Sequence, residues 1–83
     1  MSTSEEILYR YGQLNYYNGI APSTYVKNIQ TDLGFIRDNV DGYYGNKTEE
    51  AVKELQKSKK VKCDGVVGEQ TKRLLLTEYY TIQ

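Results

Sequence analysis

Apolar residues recur at helical spacing in four stretches of this 83-residue chain. The first stretch carries an apolar stripe formed by Ile7, Leu8, Tyr11 and Leu14. Ser2 and Thr3 each stand three residues before a glutamate, a pattern typical of a capped helix start. Gly19 and Pro22 are stop signals. The pattern predicts a helix over about residues 4–17.

The other three stretches predict shorter helices, each with a polar residue at its start. The second begins at Ser23 or Thr24 and ends at Gly34. Its apolar positions are Val26, Ile29 and Leu33. Thr48 is expected to cap the third helix, and Thr71 is expected to cap the fourth. Their apolar faces are formed by Ala51, Val52 and Leu55, and by Leu74, Leu75 and Tyr79.

A motif, Asp-Gly-x-x-Gly-x-x-Thr, occurs twice, at Asp41–Thr48 and at Asp64–Thr71. Each copy follows a helix that contains a Gln after two apolar positions, Gln30 after Val26 and Ile29, and Gln56 after Val52 and Leu55. Asp favours turns because its carboxylate accepts backbone N–H groups two residues on, and both Gly residues can take positive φ. The hydrophobic residue before the second Gly, Tyr44 or Val67, is expected to fill the core. The motif therefore predicts two loops that each start a helix.

The ordered pair of motifs resembles the peptidoglycan-binding domain of the first type, a small module found beside bacterial and phage cell-wall hydrolases. The resemblance covers about residues 23–76, and its departures are mild: Tyr44 replaces a Phe, Leu55 replaces an aromatic residue, and Lys60-Val61 replaces Gly-Leu. It implies an all-α fold, a small orthogonal three-helix bundle with two Asp-Gly loops and an extra N-terminal helix. We expect residues 1–22 to pack on or extend the module and residues 23–83 to form it.

Composition narrows the possible chemistry. Eleven basic residues balance eleven acidic ones, so no global field attracts nucleic acid or an anionic membrane, and no apolar run could span a bilayer. His is absent and Cys63 is the only cysteine, so we expect no catalysis, no metal and no cofactor. We expect the chain to act in the cell wall or the extracellular space. Residues 1–6 are polar and do not resemble a signal peptide, so we expect another export route, a phage-type protein or a domain excised from a longer chain.

Four rival functions fit the same residues poorly. An EF-hand built around Gly42 would need Asp and Glu where Arg37 and Thr48 stand, and one around Gly65 fails in the same way. Asp41 and Asp64 begin equivalent turns, which explains both without a catalytic pair. Nucleic-acid binding would depend on a lysine cluster at the end of the third helix, but such a cluster is more typical of a solvated helix end. The cluster contains Lys57, Lys59, Lys60 and Lys62. The fold also resembles the pro-region of matrix metalloproteinases, but Cys63 lacks that family's Pro-Arg-Cys-Gly context.

The resemblance implies a non-catalytic module that binds peptidoglycan, through its glycan strand or its stem peptide, and anchors a linked wall hydrolase. The candidate contacts flank a shallow groove near the first loop and, apart from Asp41, have no assigned core or capping role: Arg37, Asp41, Tyr43, Asn46 and Lys47, with Gln70 as the counterpart of Lys47. Exposed tyrosines suit sugars, because the ring has an apolar face and a hydroxyl; the exposed set is expected to be Tyr16, Tyr17, Tyr25, Tyr43 and Tyr80. The alternative is a protein-interaction or regulatory, pro-domain-like helical module that docks through Tyr9, Tyr16 and Tyr17.

Overall fold

The computed structural model describes residues 2–20 and 22–81, which form four α-helices and one short 3-10 turn. The helices are α1 (Thr3–Tyr11), α2 (Thr24–Asp32), α3 (Asn46–Ser58) and α4 (Glu69–Thr81), and the 3-10 turn is Arg37–Asn39. Helices α1, α2 and α4 pack against one another. The expected all-α fold is confirmed.

Helix α1 begins as predicted but ends earlier. The Oγ of Ser2 accepts the N–H of Glu5 at 3.2 Å, which caps the first turn. The helix stops at Tyr11 because Gly12 takes a φ of +77°, and a Cβ at residue 12 would lie 2.9 Å from the ring of Tyr25. The predicted continuation to residue 17 is therefore wrong, and Leu14 is exposed instead of completing an apolar stripe.

Helices α2 and α3 end in the same way, which extends the repeat beyond the loop motif. After α2, Gly34 takes a φ of +95° and the N–H of Phe35 donates to the carbonyl of Gln30 at 3.0 Å. After α3, Lys60 takes a φ of +58° and the N–H of Val61 donates to Gln56 at 3.1 Å. The predicted start of α2 is also confirmed, because the Oγ of Ser23 accepts a backbone N–H.

The core uses equivalent positions of the two repeats. Val26 and Val52 come from the helices, and Tyr44 and Val67 come from the loops; each is at most 1% exposed. The prediction that the loop hydrophobes fill the core is confirmed. The buried apolar cluster consists of Ile7, Tyr11, Tyr16, Val26, Ile29, Tyr44, Val52, Val67, Leu75 and Leu76. Burying each large side chain stabilises the fold by about 1.5–3 kcal/mol.

A buried carboxylate joins three helices. The side chain of Asp32 in α2 is fully buried, and the Nε and Nη2 of Arg10 in α1 donate to it at 2.7 and 2.6 Å. The hydroxyl of Tyr11 donates to the same carboxylate at 2.5 Å. The guanidinium lies 3.9 Å from the ring centroid of Tyr79 in α4. The hydrogen bonds with Asp32 raise the pKa of Arg10, so the guanidinium keeps its charge.

Candidate functional site

The two Asp-Gly pairs form the same turn. Asp41 and Asp64 each accept the N–H of the residue two positions on, both at 2.9 Å. Gly42 and Gly65 have φ values of +83° and +74°. The predicted roles of Asp and of the first Gly are confirmed. Positive φ at the second Gly is wrong for Gly45, whose φ of −99° is open to any residue.

One buried amide holds the first loop. The Nε2 of Gln30 donates to the Oδ1 of Asp41, the carbonyl of Tyr43 and the Oγ1 of Thr48, each at 3.0 Å. Its Oε1 accepts the N–H of Gly42 at 3.0 Å. The side chain is 1% exposed, so every polar atom of this amide is satisfied inside the protein. Gln30 therefore fixes the loop in one conformation.

Gln56 repeats this arrangement in the second loop. Its Nε2 donates to the Oδ1 of Asp64 at 3.1 Å, the carbonyl of Val66 at 3.1 Å and the Oγ1 of Thr71 at 2.9 Å. Its Oε1 accepts the N–H of Gly65 at 3.0 Å. Both loops are thus held by the helix that precedes them.

The capping role predicted for Thr48 and Thr71 is wrong. Helix α3 begins at Asn46 and α4 begins at Glu69, so both threonines lie inside the first helical turn. Their buried hydroxyls accept hydrogen bonds from the glutamine amides instead of from helix N–H groups. The sequence does contain a signal for this contact, because a Gln precedes each Thr by 18 and 15 residues in the two repeats.

The segment between α1 and α2 joins the two loops. Tyr16 exchanges backbone hydrogen bonds with Val67 at 3.1 and 2.7 Å, and the N–H of Gly19 donates to Tyr44 at 3.0 Å. Tyr16 is 2% exposed, so its predicted exposure is wrong. Tyr16 therefore cannot belong to the docking face predicted for Tyr9, Tyr16 and Tyr17, because it pairs with the second loop and its ring lies in the core.

A buried lysine that the sequence did not single out holds the same segment. The Nζ of Lys72 in α4 donates to the carbonyls of Gly12 at 2.9 Å and Leu14 at 2.6 Å. Burial lowers the pKa of Lys72 below its usual value. Its position in the helix resembles a surface lysine, and only the long-range contact with residues 12–14 reveals its role.

A groove lies beside the first loop, and we call it the first-loop groove. It has a volume of about 340 Å³. Its exposed and half-buried lining residues are Phe35, Asn39, Asp41, Tyr43, Asn46 and Lys47. Four of the six predicted contacts are brought together here. Arg37, exposed in the 3-10 turn, and Gln70, exposed in the first turn of α4, do not line it, and their participation stays a prediction.

The groove presents groups suited to a polar ligand. Tyr43 is 56% exposed, and hydrogen bonds from Gln30 and from the Tyr43 backbone hold the pKa of Asp41 below its usual value. The Oδ1 of Asn46 accepts from Asn18 at 2.5 Å, which positions that amide. Within residues 2–20 and 22–81, Lys47 has no ion-pair partner within 4.0 Å. An aromatic ring, an anion, a cation and amides thus line one surface.

The cysteine and the lysine cluster considered for other functions lie elsewhere on the surface. Cys63 is exposed, and its Sγ donates to the carbonyl of Lys53 at 3.2 Å. The lysines at the end of α3 are exposed, and Lys59 pairs with Glu78 at 3.2 Å. In the part of the chain that the structure describes, no three potential metal ligands converge. No helix among those residues is long and apolar enough to cross a membrane.

Comparison with known proteins identifies the family. Residues 4–75 match the family described as "Putative peptidoglycan binding domain". Searches of curated proteins and of solved structures gave no match. The family match begins in α1, so it extends well before residue 23, where the resemblance of the motifs begins. The chain belongs to the peptidoglycan-binding domain family.

Proposed function

We propose that this chain holds an associated wall hydrolase on peptidoglycan through the first-loop groove. The observation that carries the proposal is the convergence of Asp41, Tyr43, Asn46 and Lys47 on one groove in a chain of this family. Tyr43, Asn46 and Lys47 differ from the residues at the equivalent positions of the second motif, although the Asp, the turn and the glutamine contact are the same. The repeated residues build the loop, and the variable ones are free to bind.

The rigidity of the loop favours binding. Gln30 hydrogen-bonds with the carbonyl of Tyr43 and with the N–H of Gly42, both at 3.0 Å, so the ring is presented from a fixed backbone. A fixed backbone lowers the conformational entropy lost on association. The apolar face of a tyrosine can cover the CH face of a sugar while its hydroxyl hydrogen-bonds with the wall.

Binding to insoluble sacculi tests the proposal. The purified chain should pellet with sacculi at low and moderate salt, and Tyr43→Ala should weaken binding about tenfold, as expected for an aromatic contact at the centre of an interface. Tyr9→Ala is the matched control, because Tyr9 is 80% exposed on α1 and does not line the groove. If the unaltered chain stays in the supernatant, or both variants bind as it does, the proposal fails.

The tethering role needs a separate test. We would fuse the chain to a wall hydrolase domain and measure cleavage of insoluble sacculi and of soluble muropeptides. Tyr43→Ala should slow cleavage of sacculi and leave cleavage of soluble fragments unchanged. Retention raises the local concentration of the hydrolase only on the insoluble substrate. Equal rates on sacculi for both fusions would contradict tethering.

A further inference from the structure

The first-loop groove continues along one face of α3. A second groove of about 470 Å³ shares Phe35, Asn39 and Lys47 with it, and a third shares Ala51 and Glu54 with the second. We call the continuous depression the α3 furrow. Its helical wall is formed by Lys47, Glu50, Ala51, Lys53, Glu54, Leu55 and Ser58. At 1.5 Å per residue this wall is about 17 Å long.

The charges in the furrow are arranged along its length. Lys47 lies at the loop end, and Glu50 and Glu54 follow one helical turn apart. Lys53 also lines the furrow, and Glu78 of α4 lines its far end. Among residues 2–20 and 22–81, neither glutamate has a cationic partner within 4.0 Å, whereas Lys53 and Lys59 on the same helix each pair with a different glutamate. Like charges four residues apart on a helix repel each other. A cation bound between these two carboxylates would relieve that repulsion.

Apolar surface lies beside the charges. Phe35 and Ala51 are half-buried and line the furrow next to the glutamates, and Leu33 and Leu55 line its far end. The furrow therefore suits an elongated ligand with small apolar side chains, one ammonium group and carboxylates. An extended peptide of about five residues has the matching length.

We infer that the α3 furrow binds the stem peptide of peptidoglycan, with the free ammonium of its diamino acid between Glu50 and Glu54 and a stem carboxylate near Lys47. This inference rests on the proposed function and names the part of the wall that is recognised. An N-acetylated glycan strand carries no cation and would leave both glutamates without a partner. Cross-linking converts the same amine to an amide, so the chain should prefer wall that is not cross-linked.

Synthetic peptides test the role of the ammonium. The probe is N-acetyl-L-alanyl-γ-D-glutamyl-L-lysyl-D-alanine, compared with its meso-diaminopimelyl version and with the lysyl peptide acetylated on its side-chain amine. At least one free-amine peptide should bind, and acetylation should weaken binding about tenfold, because it removes both the charge and the donors at two carboxylates. Equal affinity of the acetylated peptide, or no binding of any free-amine peptide, would overturn the inference.

Charge-neutralising variants test the two glutamates. Glu50→Gln with Glu54→Gln should weaken binding of the free-amine peptide about tenfold and leave the acetylated peptide unaffected. The control pairs Glu5→Gln with Glu69→Gln, which removes the same charge outside the furrow. Retention on intact sacculi and on sacculi stripped of stem peptides separates the two proposals. Equal retention on both, with no effect of the Glu50 and Glu54 variants, refutes the furrow alone; absence of retention on both preparations refutes the proposed function.

Discussion

Replacing Gln30 with alanine should destabilise the protein strongly, because one amide holds the whole first loop. The N–H of Gly42 and the hydroxyl of Thr48 are buried and would lose their partner. Leaving a buried polar group without a partner costs about 1–3 kcal/mol, so these two groups together cost about 2–6 kcal/mol. A chain of 83 residues has a free energy of unfolding of about 4–12 kcal/mol. The variant should therefore lose about half of its stability.

Gln30→Glu sharpens the prediction, because it keeps the shape and removes the donors. The introduced carboxylate would face three acceptors in place of the amide nitrogen, so it should be at least as harmful as alanine at neutral pH. Urea unfolding followed by far-ultraviolet circular dichroism measures both variants, with Gln70→Ala as the exposed control. A change below about 0.5 kcal/mol for Gln30→Ala, the range of ordinary surface substitutions, would refute the role given to this amide.

Four further substitutions test the loops and the core. Gly65→Ala should lower the free energy of unfolding by about 1–3 kcal/mol, because φ is +74° and a Cβ would lie 2.8 Å from an α3 side chain. Gly45→Ala should change the melting temperature little, because the space beside residue 45 is open. Burial raises the pKa of the Tyr44 phenol above 10.0, so the folded state keeps a proton that the unfolded chain loses and stability falls as pH rises above about 10. Tyr44→Phe should reduce that slope by up to about 1.4 kcal/mol per pH unit in urea unfolding between about pH 9 and 11, and an unchanged slope would contradict the assignment. Arg10→Met should cost about 3–5 kcal/mol in the same assay, because it leaves the buried carboxylate of Asp32 without a counter-ion, and a stability equal to that of the unaltered chain would count against the pairing.

The local pattern was sufficient to predict the loops. Asp accepts the N–H two positions on and the first Gly supplies a positive φ, so both roles depend on the local chain and follow from sequence alone. The prediction that Thr48 caps a helix is wrong because a threonine before an apolar helical stripe resembles an N-cap. Its actual partner, Gln30, lies in another helix, and helical periodicity carries no information on such a contact.

Contacts across the chain also explain the other errors. Tyr16 is buried by pairing with Val67 in the second loop, which no nearby residue indicates. Tyr43, Asn46 and Lys47 of the groove could be named because they differ between the repeats. The other residues of the α3 furrow could not be named from the sequence, because Phe35 belongs to an irregular connection and Glu54 falls on the polar side of its helix.

A titration of the isotope-labelled chain with a disaccharide–tetrapeptide muropeptide, followed by chemical shifts, tests the central claim most directly. Wall binding through the first-loop groove and the α3 furrow predicts the largest shifts at Tyr43, Lys47, Glu50 and Glu54. Shifts confined to the surface of Tyr9 and Tyr80, between α1 and the end of α4, would contradict this site. The absence of any shift at millimolar muropeptide would contradict binding itself.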